Sequence, residues 1–187
     1  MIHFYFFLVG SIVASFLGLV VDRFPEQSII TPASHCNVCG QKLEPRDLIP
    51  VLSQLINRLR CRFCNSKIPI RYILLELTGG CLFLATSLGY LNINRLVLLA
   101  MGMTLSLYDQ REQEYPLLIW LIFHIFLLFL TSFNLLMVAF LALGILAHFV
   151  DLRIGAGDFL FLASCSTIFH LTEVLLIIQI ASIIGLL

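Results

Sequence analysis

The chain has 187 residues, of which 60% are apolar and 12% charged, and its formal net charge is zero. Soluble domains carry about 25% charged and about 45–50% apolar residues, so a mean hydropathy of +1.01 excludes disorder, a basic nucleic-acid-binding domain and an ordinary soluble enzyme. A membrane protein of several spans, each needing about 20 apolar residues, remains. With no net charge, the placement of the charges carries the electrostatic reading.

The first apolar stretch covers residues 2–21. It starts without Lys or Arg and ends without a small-residue cleavage pattern, so it reads as a retained anchor and not a signal peptide. A polar insert follows over residues 22–71. It holds eight of the eleven cations (Arg23, Lys42, Arg46, Arg58, Arg60, Arg62, Lys67 and Arg71), four acids and five of the six prolines. Within it, Cys36-x-x-Cys39 and Cys61-x-x-Cys64, separated by 21 residues, have the spacing of two knuckles that close a tetrahedral thiolate zinc site. Gly40 relieves the first turn. A pair of disulfides is the alternative, disfavoured on the reducing side of a membrane. The expected metal role is structural, because fifty residues with few large apolar side chains need a staple to fold.

Six further candidate spans follow: residues 72–91, 96–108, 117–131, 135–150, 159–171 and 174–187. Spans must satisfy their own backbone, so an all-α polytopic bundle of about seven transmembrane helices is expected, with a zinc-ribbon-like insert. The domain reading is a first helix at 1–21, the four-cysteine insert at 22–71 and a multi-helix domain at 72–187. By the positive-inside rule the eight-cation insert is cytoplasmic and the N-terminus outside. Counting spans from there puts Arg111 and Arg153 inside as well and only Arg95 outside. Cys81 and Cys165 read as packing residues. His124, His148 and His170 read as packed or bonded to backbone.

Ionisable groups near a bilayer invite a functional reading. Glu173 at an outer hairpin, and Glu112 and Glu114 in a polar turn, read as solvated. Asp109 ends a span of thirteen uncharged residues, with Pro116 seven residues on. Asp158 follows Gly155-Ala-Gly157 and opens an apolar helix, where glycines permit close approach and the helix dipole favours an acid. The two fall on one side at similar depth. Two close aspartates share a proton, and then one activates water while the other protonates a leaving group. A charged rim is the alternative, and Asp151 competes for either place.

Several segments resemble the type IV prepilin leader peptidases, which are membrane aspartic proteases. Residues 14–25 (ASFLGLVVDRFP) resemble the family's first-span exit, G-S-F-L-N-V-x-x-x-R-x-P. The cysteine pairs flank Asp47-Leu-Ile-Pro50 and Ser53 as in its cytoplasmic insert. Arg71-Tyr72 with Glu76-Leu-Thr-Gly79 resembles R-Y-x-x-x-E-L, Asp109 with Pro116 its first aspartate and proline, and Gly155-Ala-Gly-Asp158 its G-x-G-D. The wording is closest to the competence-system enzymes of Gram-positive bacteria.

The resemblance implies an endopeptidase of the bacterial plasma membrane. It would cut the leader of prepilin-like or pseudopilin proteins on the cytoplasmic face, after a glycine, with S-adenosylmethionine-dependent methylation of the new N-terminus in many members. Carried over residue by residue, Asp109 and Asp158 are the catalytic dyad, and Gly155 and Gly157 its packing support. Cys36, Cys39, Cys61 and Cys64 are the zinc ligands, and Glu76 belongs to methylation. Membrane lipid is an expected partner and nucleic acid is not. Three features depart from the pattern: Gly18 where the family usually has Asn, Leu160 where Lys is common, and no closing I-P-F-G-P segment, which reads as a short member or a truncated chain. Two other classes fit the residues less completely. A transporter whose acids line a pathway gives no reason for the cysteines. An assembly factor docking through a zinc ribbon gives none for the aspartates.

Overall fold

The computed structural model describes residues 1–112, 115–150 and 155–185, so Glu114, Asp151 and Arg153 lie outside it. The described residues form helices and loops, without strands, in two compact units, Met1–Asn92 and Ile93–Leu187.

In the first unit, α1 (Ile2–Arg23) is an apolar helix with no proline. It stops where Phe24, extended at φ −84° and ψ 140°, precedes Pro25, because proline disfavours helical backbone in the residue before it. The insert contains a 3-10 turn (Pro45–Leu48) and a five-residue helix, α2 (Leu52–Ile56). The next helix, α3 (Ile70–Ser87), begins after Pro69 and ends in a Schellman turn. Gly89 sits at φ +82°, its N–H bonds the Thr86 carbonyl and the Tyr90 N–H bonds Ala85, the arrangement glycine makes cheap at a helix end.

α1 and α3 form an antiparallel hairpin. His3 bonds Ser87 at one end and Asp22 meets Arg71 at the other. Its seam is made of small residues. Gly10, Ala14 and Gly18 recur every four residues on α1 and meet Gly79 and Leu75, while Gly80 lies against Phe7 and Ser11. A Cβ on Gly10 would lie 2.5 Å from the Gly79 carbonyl oxygen, and one on Gly79 would collide with Ala14. Such stripes let backbones touch where apolar lipid gives side chains no reason to bury.

In the second unit, α4 (Ile93–Glu112) and α5 (Leu117–Leu130) pack as a hairpin. α6 (Leu135–Phe149) and α7 (Ala156–Ser166) form another, followed by α8 (Leu171–Gly185). Asn134 fastens the second hairpin at both strokes. Its oxygen caps α6 by accepting from the Met137 N–H at 2.7 Å, and its amide donates to the Ser166 carbonyl. α5 runs parallel to α7, since Tyr115, Trp120 and His124 meet Gly157, Leu160 and Ser164 in turn. The core gathers Met101, Leu105, Trp120, Leu127, Cys165 and Val174.

Each expected span overlaps mainly one helix among the described residues, with different ends. α1 and α3 are long and apolar enough to cross a membrane. α5 to α8 are apolar but only 14, 15, 11 and 15 residues, or about 17–23 Å at 1.5 Å per residue. The boundary of α7 differs most from the expected 159–171. It starts at Ala156 and stops at Ser166, because Ser164, Ser166 and Thr167 turn their hydroxyls back onto the Leu160, Ala163 and Ser164 carbonyls, competing with helix continuation.

Candidate functional site

The cysteine cluster is built by two copies of one local turn. Cys36 N–H bonds the Gln41 carbonyl and Gly40 N–H the Cys36 carbonyl, at 3.0 and 2.8 Å. In the second copy Cys61 N–H bonds Ser66 and Asn65 N–H bonds Cys61, at 2.8 and 2.9 Å. Gly40 and Asn65 hold the same place, at φ +68° and +57°, the left-handed region that Gly and Asn enter most readily.

Facing turns bring all four Sγ atoms within 4.8 Å of one another, with Cys36 and Cys64 at 3.8 Å. A tetrahedron with metal–sulfur bonds of about 2.3 Å has edges of about 3.8 Å, so the four residues fit a single zinc-sized ion. Backbone N–H groups of Cys39 and Val38 bring the Cys36 thiol down to about 6. Ser66, through its hydroxyl and its N–H, lowers Cys64. Cys39 rises to about 11: a bond from the Gln41 backbone opposes this, but desolvation and the protons shared with Cys64, Cys36 and Cys61 outweigh it.

The insert is fastened to the hairpin by Glu76. This side chain is buried on α3, and its two oxygens take three donors. Ser15 Oγ on α1 donates at 2.8 Å, the Val51 N–H at 2.6 Å and Gln54 Nε2 at 2.7 Å. At the mouth of the hairpin Asp22 accepts from Arg71 at 2.8 Å and from the Tyr72 hydroxyl at 2.6 Å. Arg23 turns the other way and clamps the following loop, donating to the carbonyls of Pro32 (2.6 Å), Ile29 (3.3 Å) and Ser28 (3.5 Å).

The two aspartates lie at one end of the second unit. Asp109 is in the last turn of α4 and Asp158 in the first turn of α7; both are exposed. Phe161 rests against Gly102, and both carboxylates lie beyond that contact in the same direction. By helix rise Asp109 is about 10 Å past it and Asp158 about 4.5 Å.

Gly157 lies under the Tyr115 ring, where any Cβ would collide. The Tyr115 hydroxyl is buried without a partner among the described residues. Burial, then the charge of Asp158, then Cys165 push it upward. Gly155 is the exposed N-cap of α7 at φ −62°, and what lies nearest its Cβ position is the Asp158 carboxylate. Farther along, His124 accepts or donates at 2.8 Å with Ser164 and stacks on Trp120. Glu173 accepts the His170 N–H at the start of α8.

Residues 8–90 match the family model described as Bacterial Peptidase A24 N-terminal domain. Curated relatives agree in name. The prepilin leader peptidase/N-methyltransferase of Myxococcus xanthus (strain DK1622) is 46% identical over 82 residues, covering 43% of this chain and 24% of that protein. The protein of the same name from Bacillus subtilis (strain 168) is 38% identical over 85 residues, covering 45% and 34%. That of Klebsiella pneumoniae is 34% identical over 125 residues, covering 60% and 54%. The chain thus spans from about a quarter to about half of the length of these relatives. No solved structure matches it.

The matched segment takes in most of α1, the cysteine cluster, α3 and the Glu76 cradle. Sequence reasoning named the cysteines and Glu76, but not Ser15 or Gln54 as partners of the latter. Ser15 lies one residue beyond Ala14 of the small-residue stripe, and that four-residue recurrence was the available signal. Tyr115 next to Pro116 gave none.

Proposed function

We propose that the protein is a membrane aspartic endopeptidase that removes the leader of prepilin-like proteins at the cytoplasmic face, with methyl transfer to the new N-terminus as a second activity. The match over residues 8–90, joined in one chain to a Gly-x-Gly-Asp at the start of α7, carries the reading. Asp109 and Asp158 form the dyad. One carboxylate takes a proton from the attacking water, and the other gives a proton to the leaving amine. The short link between α4 and α5 and the parallel course of α5 and α7 bring both to one end of the unit.

The insert carries eight cations, which orient it to the cytoplasm and place the membrane exit of α1 on the side where a leader remains. Cys36, Cys39, Cys61 and Cys64 hold a structural zinc whose role is to fold the insert. Methyl transfer is supported by the names of the relatives. Gly18, where the family usually has Asn, leaves room that Leu75 occupies: a Cβ there would lie 2.7 Å from that side chain.

The test is direct. Purified protein is incubated with a prepilin-like substrate, with and without S-adenosylmethionine, and the new N-terminus is read by mass spectrometry. Asp109→Asn and Asp158→Asn should each abolish cleavage while the protein still inserts. Undiminished cleavage by both would refute the dyad.

A further inference from the structure

α2 has two faces with opposite chemistry. Ser53 and Gln54 are buried, and Gln54 joins the Glu76 cradle. Leu52, Leu55 and Ile56 point outward, 51%, 60% and 70% exposed, and Leu48 and Ile49 just before them are exposed as well. At the C-terminal end of α2 opens a cleft of about 700 Å³, lined by Ile56, Asn57, Arg58, Arg60 and Arg62 among others. Arg58 and Leu59 are held in left-handed backbone at φ +53° and +56°, a conformation that non-glycine residues keep only where the surroundings impose it.

The depth of α2 follows from its anchor. Glu76 lies five residues past Arg71 along α3, and Arg71 pairs with Asp22 at the polar mouth of the hairpin. At 1.5 Å per residue that puts the Val51 N–H and Gln54 about 7 Å below the mouth. Interfacial helices bury their apolar face about 5–10 Å into the headgroup and acyl boundary. Backbone at such depth needs internal partners, and the Val51 N–H has one in Glu76. The apolar face, the depth and the arginines at its edge therefore describe a surface suited to one occupant, a leaflet rich in anionic phospholipid.

We propose that α2 is a membrane-interface foot of the first unit: Leu52, Leu55 and Ile56 enter the acyl boundary, and Arg58 and Arg60 bind the headgroup phosphates above them. The inference rests on α1 and α3 crossing the bilayer and is independent of the peptidase chemistry.

The experiment places the full chain in nanodiscs of phosphatidylglycerol or phosphatidylcholine with brominated acyl chains, which quench nearby tryptophan. Leu55→Trp and Phe16→Trp are compared, each after subtraction of the parent emission. Phe16 is an exposed residue of α1 near the depth of Glu76. The expected result is that both are quenched to a similar extent, with Leu55→Trp quenched more in phosphatidylglycerol. Adding Arg58→Gln and Arg60→Gln should abolish that lipid preference.

Phe16→Trp quenched with Leu55→Trp blue-shifted but unquenched would mean that protein covers α2, and would overturn the proposal. Leu55→Trp red-shifted and unquenched would place α2 in water and overturn it too. Phe16→Trp unquenched would overturn the spanning reading and this proposal together. A lipid preference that survives loss of both arginines would overturn the headgroup assignment.

Discussion

Glu76 shows how much one side chain can decide. Carboxylate oxygens are acceptors only, and here they collect donors from α1, from α3's own unit partner α2 and from the residue before it. Glu76→Ala orphans three donors. A buried donor left unpaired costs about 1–3 kcal/mol, so thermal unfolding in detergent should show a fall of several degrees in Tm and earlier proteolysis of the insert. Glu76→Gln keeps one acceptor and should fall less. If that variant holds its Tm but loses methylation, the carboxylate acts on chemistry; if both fall together, its work is to position the insert. The role of Glu76 was legible only in part. R-Y-x-x-x-E-L marked the residue, but Ser15 and Gln54 lie 61 and 22 positions away in the chain, and no local spacing records such a meeting.

At the scale of elements, the α1–α3 seam and the cysteine turns make separate predictions. Gly79→Ala drives a Cβ into Ala14 and the Gly10 backbone, whereas Gly102→Ala meets only Phe161 at 3.5 Å, ordinary contact. Overpacking costs about 1–3 kcal/mol, against a helix-propensity gain of up to about 1 kcal/mol for either change. Melting curves should show Gly79→Ala destabilised and Gly102→Ala neutral or slightly stabilised.

For the insert, the full-length protein as purified should release one zinc per chain to a strong chelator, measured by a colorimetric dye. The insert should then become protease-sensitive while the α1–α3 hairpin stays resistant. The cysteine pairs were readable because both ligands of each knuckle lie within one turn of chain. The ends of α4 and α7 were not, because hydropathy falls at Asp109 and Asp158 while the helical hydrogen bonding continues through them. Apolar run length therefore misplaced two helix ends near the residues of greatest interest.

For the whole molecule, the antiparallel course of α1 and α3 puts Met1 and the Leu88–Asn92 link at one end of the first unit and the insert at the other. If the hairpin spans the membrane with its cations inside, Asn92→Cys should react with an impermeant thiol reagent in intact cells. Lys42→Cys should react only after permeabilisation, both read as labelling above the parent. Equal labelling of the two would refute the orientation. Composition and charge sorting made the helical, membrane-type architecture legible, and motif order made the family resemblance legible. Helix partners within each unit had to be seen, since chain order is compatible with α7 facing α4, α5 or α6, and it touches all three.

The Glu76 cradle has a consequence for anyone building chimeras of this protein. The four-cysteine insert looks like a cassette bounded by two helices, ready to be exchanged between relatives. Its Val51 N–H and Gln54 amide are plugged into a carboxyl group that belongs to the receiving helix, and Ser15 on the other helix shares that carboxyl. A transplant cut at the edges of the insert would separate plug from socket; the smallest exchangeable piece runs from Ser15 through Glu76.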